Sequence, residues 1–176
     1  MSEDFEPAQP QRARASPGID GLWRVAYRVA FRLQRVYWRI RRPTLVGSYV
    51  AVWHADRLLC VRNSYRRLLT LPAGGMARGE EPRTTAVREL REEVAIDARP
   101  DALTYVGEIV SHVGGVEDRA HFFELHCGDR EPSFRVDGRE VVWAAFLSPH
   151  ELRAVETVDV VRQYLERIGS TPARTR

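Results

Sequence analysis

The sequence contains no lysine, so all 27 of its basic residues are arginines. Arginine binds phosphate and carboxylate groups through a planar fork of donors, whereas lysine acts as a point charge. The chain is also poor in cysteine, with only Cys60 and Cys127. Two cysteines are too few for a disulfide framework, and each stands in an apolar run. We therefore expect two buried free thiols and a reducing compartment.

Long apolar runs are absent as well. No stretch of about 18 uncharged apolar residues occurs, so no helix is expected to span a membrane. Residues 1–17 are polar and contain proline, without the apolar core of a secretory signal. These features predict a cytoplasmic protein.

Size and composition are those of one globular domain with extensions at its ends. The chain has 176 residues, of which 44% are hydrophobic and 29% charged, and its formal net charge is +3. Four segments are expected from the pattern along the chain. They are a disordered tail over 1–18, a basic amphipathic helix over 19–42, a folded domain over 43–169 and a disordered tail over 170–176.

The segment 19–42 predicts an amphipathic helix that ends at Pro43. One side carries a stripe of arginines, flanked by Phe31 and Trp38: Arg24, Arg28, Arg32, Arg35, Arg39 and Arg42. The opposite side is apolar: Leu22, Val25, Ala26, Val29, Ala30, Leu33, Val36, Tyr37 and Ile40.

Three roles are open for this helix. Its apolar side packs on the domain or on a second copy in a homodimer, which leaves the arginines in solvent. Alternatively, the helix makes a weak contact with an anionic membrane surface, as basic amphipathic helices do. Nucleic-acid binding is disfavoured, because no aromatic residues interleave with the arginines on the same face.

Strands and helices alternate irregularly after this helix, which predicts an α/β fold. Strands are expected over 44–53, 58–62, 68–72, 104–113, 120–127 and 140–147. Helices are expected over 84–94, 149–154 and 158–168. The run Ala73-Gly74-Gly75 is expected to form a flexible turn.

Three glutamates stand on one side of the helix predicted over 84–94. At about 100° per residue, Glu89, Glu92 and Glu93 share a face roughly 100° wide. Like charges so close together repel one another, and hard divalent cations bind such clusters of oxygen atoms. The pattern therefore indicates an Mg²⁺ site. Arg88 stands one helical turn before Glu92 and is expected to pair with it.

The segment from Gly74 to Ile96 resembles the Nudix box, G-x5-E-x7-R-E-U-x-E-E-x-G-U, in which U is an apolar residue. Gly74 opens the box and Ile96 closes it. Between them, Glu80, the pair Arg88-Glu89 and the pair Glu92-Glu93 stand at the spacing of the pattern. One position differs, because Ala95 replaces the second glycine. That glycine ends the helix, where φ can be positive, so alanine is expected to cost about 1 kcal/mol there.

The resemblance implies a Nudix-like α/β/α sandwich with a mixed β-sheet. It also implies a hydrolase that uses Mg²⁺, or Mn²⁺, to break a P–O–P link in a nucleoside-diphosphate compound. Metal ligands would be Glu89, Glu93 and Glu92. Catalysis would involve Glu92, Glu89 and Arg88, with Glu80 supporting the site either by pairing with Arg88 or through an outer-shell water. Gly74 would supply a backbone contact beside the metal.

Substrate recognition is expected mostly outside the box. Arg62 and Arg66 stand just before the strand that leads into the box, so they are candidates for binding phosphates or a base, together with Gly74 and Gly75 of the glycine turn. Tyr65 and Arg67 belong to the same segment. A solvated loop is the alternative interpretation of this segment.

A further acidic ligand often lies outside the box in this family. Glu117, Asp118 and Glu140 are candidates, although a plain solvated side chain is the alternative for each. Glu108 and Glu124 stand within strand patterns and rank lower.

Two histidines and one tryptophan are further candidates for a functional role. His112 and His121 could each act as a general base, but histidines at strand ends are more often structural or exposed. Trp143 is expected in the core rather than as a platform for a base.

Two classes of function fit these observations. The first is a metal-dependent enzyme acting on a nucleotide-type small molecule. The second is a Nudix-fold binding or regulatory module with little turnover. Because degenerate relatives usually lose a box glutamate and this chain retains them all, the pattern favours the enzyme.

Overall fold

The structure, a computed structural model, describes residues 10–12, 19–113, 115–128 and 131–170. Within these ranges the fold is built on one mixed β-sheet of seven strands. They are β1 (Gln11–Arg12), β2 (Leu45–His54), β3 (Arg57–Asn63), β4 (Ala73–Gly75), β5 (Thr104–Val113), β6 (Val116–His126) and β7 (Val141–Leu147). The helices are α1 (Ile19–Arg41), α2 (Pro82–Val94), α3 (Pro149–Arg153) and α4 (Asp159–Ser170), with a 3₁₀ turn at Pro100–Ala102.

The strand order is β1-β7-β3-β2-β6-β5, and β4 pairs with β2 beside this path. β2 runs parallel to β6, whereas the other strand pairs are antiparallel. β2 therefore has a central position, next to both the glycine-rich strand β4 and the long strand β6.

Two hydrophobic cores lie on opposite faces of the sheet. Val50 and Val52 belong to the core that contains Leu90 of α2. Ala51, between them, belongs to the core that contains Leu165 of α4. Successive side chains of a strand point to opposite faces, so this alternation places α2 on one face and α4 on the other. The α/β/α sandwich with a mixed sheet is thus confirmed.

The two cysteines are free thiols, Cys60 buried and Cys127 half-buried. Burial raises the pKa of both thiols, so they are neutral packing groups at physiological pH. This agrees with the expectation of structural thiols. None of the described helices is long and apolar enough to cross a membrane.

Helix α1 contacts the domain through the opposite side from the one that its amphipathic pattern predicts. Trp38 is buried, and Arg24 and Arg28 donate hydrogen bonds to the domain. The large side chains of the apolar stripe are exposed: Leu22, Val25, Val29, Leu33, Val36, Tyr37 and Ile40. The expectation that the apolar side packs on the domain and leaves all the arginines in solvent is therefore wrong. Aromatic rings and guanidinium donors together make the contact instead.

Three local predictions also need correction. Residues 68–72 form no strand but only two isolated bridges, from Leu69 to Thr157 and from Thr70 to Val61. Ala73-Gly74-Gly75 is not a flexible turn but strand β4, which pairs with Gly47–Tyr49 of β2. Within the predicted N-terminal tail, Gln11 and Arg12 form strand β1 against β7. Residues 1–9 and 13–18 of that tail, and residues 171–176 of the C-terminal one, lie outside the described residues.

Candidate active site

Strand β4 holds the box glycines against the second half of the acidic helix α2. Gly74 lies so close to Glu89 that a Cβ atom added to the glycine would stand 1.9 Å from Glu89 Oε1. A Cβ atom on the opposing Gly47 would lie 2.8 Å from the Gly74 carbonyl oxygen. Only glycine, which has no Cβ atom, allows Glu89 to lie this close to position 74 and the Gly74 carbonyl to lie this close to position 47. Gly75 has open space around it, so its lack of a side chain has no comparable steric role.

Arg88 connects most of the box. Its Nε donates to Glu80 Oε1 at 3.0 Å, and its Nη1 donates to Glu89 Oε1 at 2.5 Å and to Glu92 Oε2 at 3.3 Å. Its Nη2 donates to the Gly75 carbonyl at 3.1 Å. The expected pairs with Glu80 and Glu92 are both present. Hydrogen bonds from Arg88, followed by one from a backbone N–H, lower the pKa of Glu80 to about 2.

Glu89 and Glu93 are the two buried carboxylates of the helix, with exposed fractions of 9% and 5%. Glu93 Oε2 accepts a hydrogen bond from the Ala73 backbone N–H at 3.0 Å. Loss of hydration raises the pKa of both groups, and Arg88 opposes the shift at Glu89. Glu92 is exposed at the rim of the same face.

The three acidic candidates outside the box lie in different surroundings. Glu140 accepts a hydrogen bond from the Tyr65 hydroxyl at 2.9 Å, and its charge raises the pKa of Glu93. Asp118 is buried in the wall of the cleft described below. The solvated alternative is therefore wrong for both. Glu117 instead accepts a hydrogen bond from Arg119 at 2.7 Å on the exposed side of β6.

A cleft of about 620 Å³ opens beside these carboxylates. Its walls include Gly74 and Gly75 of the box, Asp118, Glu140 and the ring of Tyr65. Helix α1 covers it with a row of mostly aromatic side chains: Tyr27, Phe31, Gln34 and Trp38.

Stacked rings connect α1 to the domain at this cleft. The rings of Phe31 and Tyr65 have centroids 4.7 Å apart, and Tyr27 stacks with Tyr65 at 6.4 Å. Sequence reasoning missed the part that α1 takes in the site. The available signal was the pair of aromatic residues, Phe31 and Trp38, that flanks the arginine stripe.

The predicted substrate-binding arginines lie on two sides of one segment. Arg66 lines the cleft and stands 5.2 Å over the ring of Phe31. Arg62 is exposed, 5.8 Å over the ring of Trp143. Trp143 is thus a half-buried partner of an arginine, packed against the core as expected.

The other polar candidates do not line this cleft. His121 shares a hydrogen bond with the Tyr105 hydroxyl at 3.2 Å, and His112 is exposed. Glu124 accepts a hydrogen bond from the Tyr164 hydroxyl at 2.7 Å. Glu108 lies 3.8 Å from Arg119. These contacts fit structural or surface roles.

The end of helix α2 shows the consequence of the one departure from the box. Ala95 has φ 55° and ψ 32°, the left-handed conformation that favours glycine. Its N–H donates to the Arg91 carbonyl at 3.2 Å, and the N–H of Ile96 donates to the Leu90 carbonyl at 3.1 Å. The helix end thus keeps the geometry that the missing glycine would adopt.

The residues present fit a divalent cation, although they do not form a complete set of metal ligands. Among the described residues, no three acidic, histidine or cysteine side chains are gathered tightly enough to hold a metal ion. Arg88 accounts for this, because its guanidinium stands between Glu89 and Glu92 and neutralises them. Glu89 and Glu93 are buried oxygen donors beside a backbone that only glycine allows to approach, a donor set suited to Mg²⁺ or Mn²⁺.

A layered α/β domain with a glycine strand, an acidic helix and an adjoining cleft is suited to binding a phosphate compound together with a metal ion. A family model described as NUDIX domain matches residues 43–167, well over half of the chain. The chain therefore belongs to the Nudix family, and it is a hydrolase of that type. Among curated proteins, none matches this sequence closely enough to count as a relative.

Solved structures share the fold at low sequence identity. The Escherichia coli ORF135 protein has 18% identity and a TM-score of 0.61, over 77% of this chain and 97% of its own. A MutT protein from Methanosarcina mazei Go1 has 18% identity and a TM-score of 0.60, over 73% of this chain and 94% of its own.

A third similar structure is larger and contains a metal ion. It is a bifunctional NMN adenylyltransferase/ADP ribose pyrophosphatase from Francisella tularensis, complexed with AMP and a Mn ion. It has 14% identity and a TM-score of 0.63, over 82% of this chain and 48% of its own. Identities this low establish the common fold.

Proposed function

We propose that this protein is an Mg²⁺- or Mn²⁺-dependent hydrolase that cleaves a P–O–P link in a nucleotide or a nucleoside-diphosphate-linked small molecule. The observation that carries the proposal is the pair of buried carboxylates, Glu89 and Glu93, which lie against Gly74 and Ala73 of β4, the strand that lines the cleft of about 620 Å³. Family membership and similarity to named pyrophosphatases support it.

Glu89, Glu93 and Glu92 would hold the metal, and we add Glu140 as the acidic residue from outside the box. Its carboxylate is close enough to raise the pKa of Glu93 and is fixed by the Tyr65 hydroxyl. When bound, the ion supplies charge neutralisation and activation of the attacking water. Arg88 contacts only Oε1 of Glu89, so the second carboxylate oxygen would be free to bind the metal.

The other groups of the chain bind and orient the substrate in this proposal. Gly74 lets the backbone approach the diphosphate, and Arg66 offers guanidinium N–H groups to phosphate oxygens at the cleft wall. Glu92, exposed at the rim, is placed to accept a proton from the attacking water. Tyr65 and Phe31 present ring surfaces against which a base can stack.

The alternative function is a binding or regulatory module with little turnover. Retention of every box glutamate, with Glu89 and Glu93 buried in the expected place, favours the enzyme. The two free thiols agree with the cytoplasmic location predicted from the sequence.

A panel of candidate substrates tests the proposal. The protein is incubated with Mg²⁺ and nucleoside triphosphates, ADP-ribose, dinucleotide cofactors, dinucleoside polyphosphates or nucleotide sugars, and released phosphate and nucleotide are measured. We expect turnover of at least one class, lost in Glu93→Gln and retained in the surface control Glu117→Gln. Binding without turnover across the panel would favour the regulatory module.

A further inference from the structure

A second cleft, of about 460 Å³, lies between α1 and the end of β3 with the segment that follows it. Five arginines line it, two from the helix, one from β3 and two from the following segment: Arg24, Arg28, Arg62, Arg66 and Arg67. Helix α1 lies outside residues 43–167, which match the family model, so this cleft is an addition to the common domain.

Uncharged partners hold the two helix arginines in place. Arg24 Nε donates to the Gly138 carbonyl at 2.9 Å, and Arg28 Nε donates to the Ser64 carbonyl at 3.2 Å. A guanidinium has five N–H groups, so each of these arginines keeps most of its donors for a ligand. The carbonyl contacts fix direction without neutralising the charge.

Aromatic rings position two arginines of the opposite wall. Arg66 stands 5.2 Å over Phe31, and Arg62 stands 5.8 Å over Trp143. Cation–π contacts of this kind orient a guanidinium and leave its edge donors available.

Carboxylates of the described residues compensate little of this concentration of charge: only the charge of Arg66 acts on one, Asp118 across the adjoining cleft, where it opposes the rise in pKa that burial causes. Among the described residues, none of the five arginines forms a salt bridge. Converging like charges repel one another, and phosphate oxygens would replace that repulsion with bidentate, charge-assisted hydrogen bonds.

The basic cleft adjoins the catalytic one. Asn63 and Arg66 line both, so a single extended ligand can occupy the two clefts together. A volume of about 460 Å³ is at the lower end for small-molecule sites and suits a short phosphate chain.

We propose that the five-arginine cleft binds further phosphate groups of the substrate, beyond the diphosphate that is cleaved. The preferred substrate class is then a nucleotide derivative with an additional phosphate chain, rather than one that ends in an uncharged group. The assignment to substrate rests on the proposed function, but the phosphate site itself does not.

Binding of inorganic tripolyphosphate, measured by calorimetry with chelator present, tests the site independently of turnover. We expect the double variant Arg24→Ala/Arg28→Ala to weaken binding roughly 10- to 100-fold. Arg62→Ala/Arg67→Ala, from the opposite wall, should act similarly. Arg32→Ala is the matched control, because Arg32 is an exposed arginine of the same helix outside the cleft, and it should change affinity by less than about twofold. Thermal melts verify folding of each variant.

Equal tripolyphosphate affinity in wild type and both double variants would overturn the site. If the double variants lose binding to a single-stranded oligonucleotide but bind tripolyphosphate as wild type does, the cleft is a nucleic-acid surface and the phosphate site is overturned. On a substrate that the enzyme turns over, the double variants should raise KM for the longer phosphate chain and leave kcat unchanged. Equal KM values for wild type and the double variants on that substrate would overturn the proposal that the cleft binds further phosphates of the substrate. Tripolyphosphate binding without any turnover would refute the proposed function alone.

A separate observation concerns the exposed side of α1. Eight large hydrophobic side chains of this helix are exposed, including Leu22 at 72%, Leu33 at 65% and Ile40 at 74%. An apolar strip of this extent on one helix needs a partner.

The spacing of the strip fits a second helix. Its central residues alternate steps of four and three along the chain, the a/d pattern of a coiled coil: Leu22, Ala26, Val29, Leu33, Val36 and Ile40. Trp23 lies off this strip, with its ring under Arg139 of the domain. At roughly 100 Å² for each of the other seven large side chains, the strip offers roughly 700 Å² per partner. That is the size of a stable protein interface. We propose that α1 pairs with α1 of a second copy, while its arginine side stays on its own domain.

Analytical ultracentrifugation tests this pairing on the full chain. Wild type should sediment as a dimer, Leu33→Glu as a monomer with an unchanged melting transition, and Leu33→Ile as a dimer. A monomeric wild type at micromolar concentration would overturn the proposal. Sedimentation of that monomer with anionic vesicles would identify the membrane as the occupant instead.

Discussion

Replacement of Ala95 by glycine should stabilise the protein. Ala95 is the only departure of the box from its consensus, and it holds a left-handed conformation at φ 55° and ψ 32°. That conformation costs an alanine roughly 1–2 kcal/mol, because its Cβ crowds the neighbouring carbonyl. Glycine loses more backbone entropy on folding, which offsets about 0.4–1 kcal/mol of the gain. The net expectation is a stabilisation of about 0.5–1 kcal/mol.

Urea denaturation and thermal melts measure this effect. For a chain of this length, 1 kcal/mol corresponds to about 2–4 °C in Tm. Ala154 provides a matched control, because it is also an exposed C-cap alanine but has φ −85°. Ala154→Gly should destabilise by about 0.5–1 kcal/mol, since it adds unfolded-state entropy and relieves no strain. Equal destabilisation by both substitutions would refute the assignment of strain to Ala95.

Two further predictions follow from single contacts. Gly74→Ala should lower kcat/KM by about 100-fold, because its Cβ would displace the Glu89 carboxylate, whereas Gly75→Ala should have little effect; similar rates for the two variants would contradict the steric argument. Ser148→Ala should cost about 1 kcal/mol, because the Ser148 hydroxyl caps α3 and accepts from the Glu151 N–H. Hydrogen bonds from the Ser148 backbone N–H, and then from its hydroxyl, lower the pKa of Glu151, so their stabilisation is present above the ordinary carboxyl pKa and is lost as pH falls through the lowered pKa. Ser148→Ala keeps the backbone N–H, so its penalty in urea denaturation should shrink only in part at low pH, and the absence of any penalty at neutral pH would argue against the cap.

The sequence was most informative where local pattern and local chemistry coincide. The box spacing located the acidic helix, the pairing of Arg88 with Glu80 and the unfavourable position of Ala95. All three depend on residues close together in the chain, whose geometry follows from one helix and one turn.

Contacts between distant segments were less predictable. The amphipathic pattern of α1 shows where its apolar residues lie, but not which side the domain covers. The domain covers the arginine side, through the Arg24 contact with Gly138 and the packing of Phe31 on Tyr65. Strand β4 escaped prediction for a similar reason, since a glycine-rich run has no side-chain periodicity and its pairing partner, β2, is distant in sequence.

The acidic residues outside the box show the same limit. Glu117 and Asp118 are neighbours, yet one pairs with Arg119 on the surface and the other is buried in the cleft wall. Alternation along β6 separates them, and only the position of the strand in the sheet decides which side faces the site.

Phosphorus NMR can follow whether cleavage of a P–O–P link depends on a metal ion and on the Glu89 and Glu93 pair. Chelator-treated protein is mixed with the best substrate of the panel, and Mg²⁺ is then added back in steps. We predict no cleavage before Mg²⁺, cleavage to phosphorylated products after it, and a rate lower by at least about 100-fold in Glu93→Gln. Cleavage without a divalent ion, or a wild-type rate in Glu93→Gln, would contradict the account.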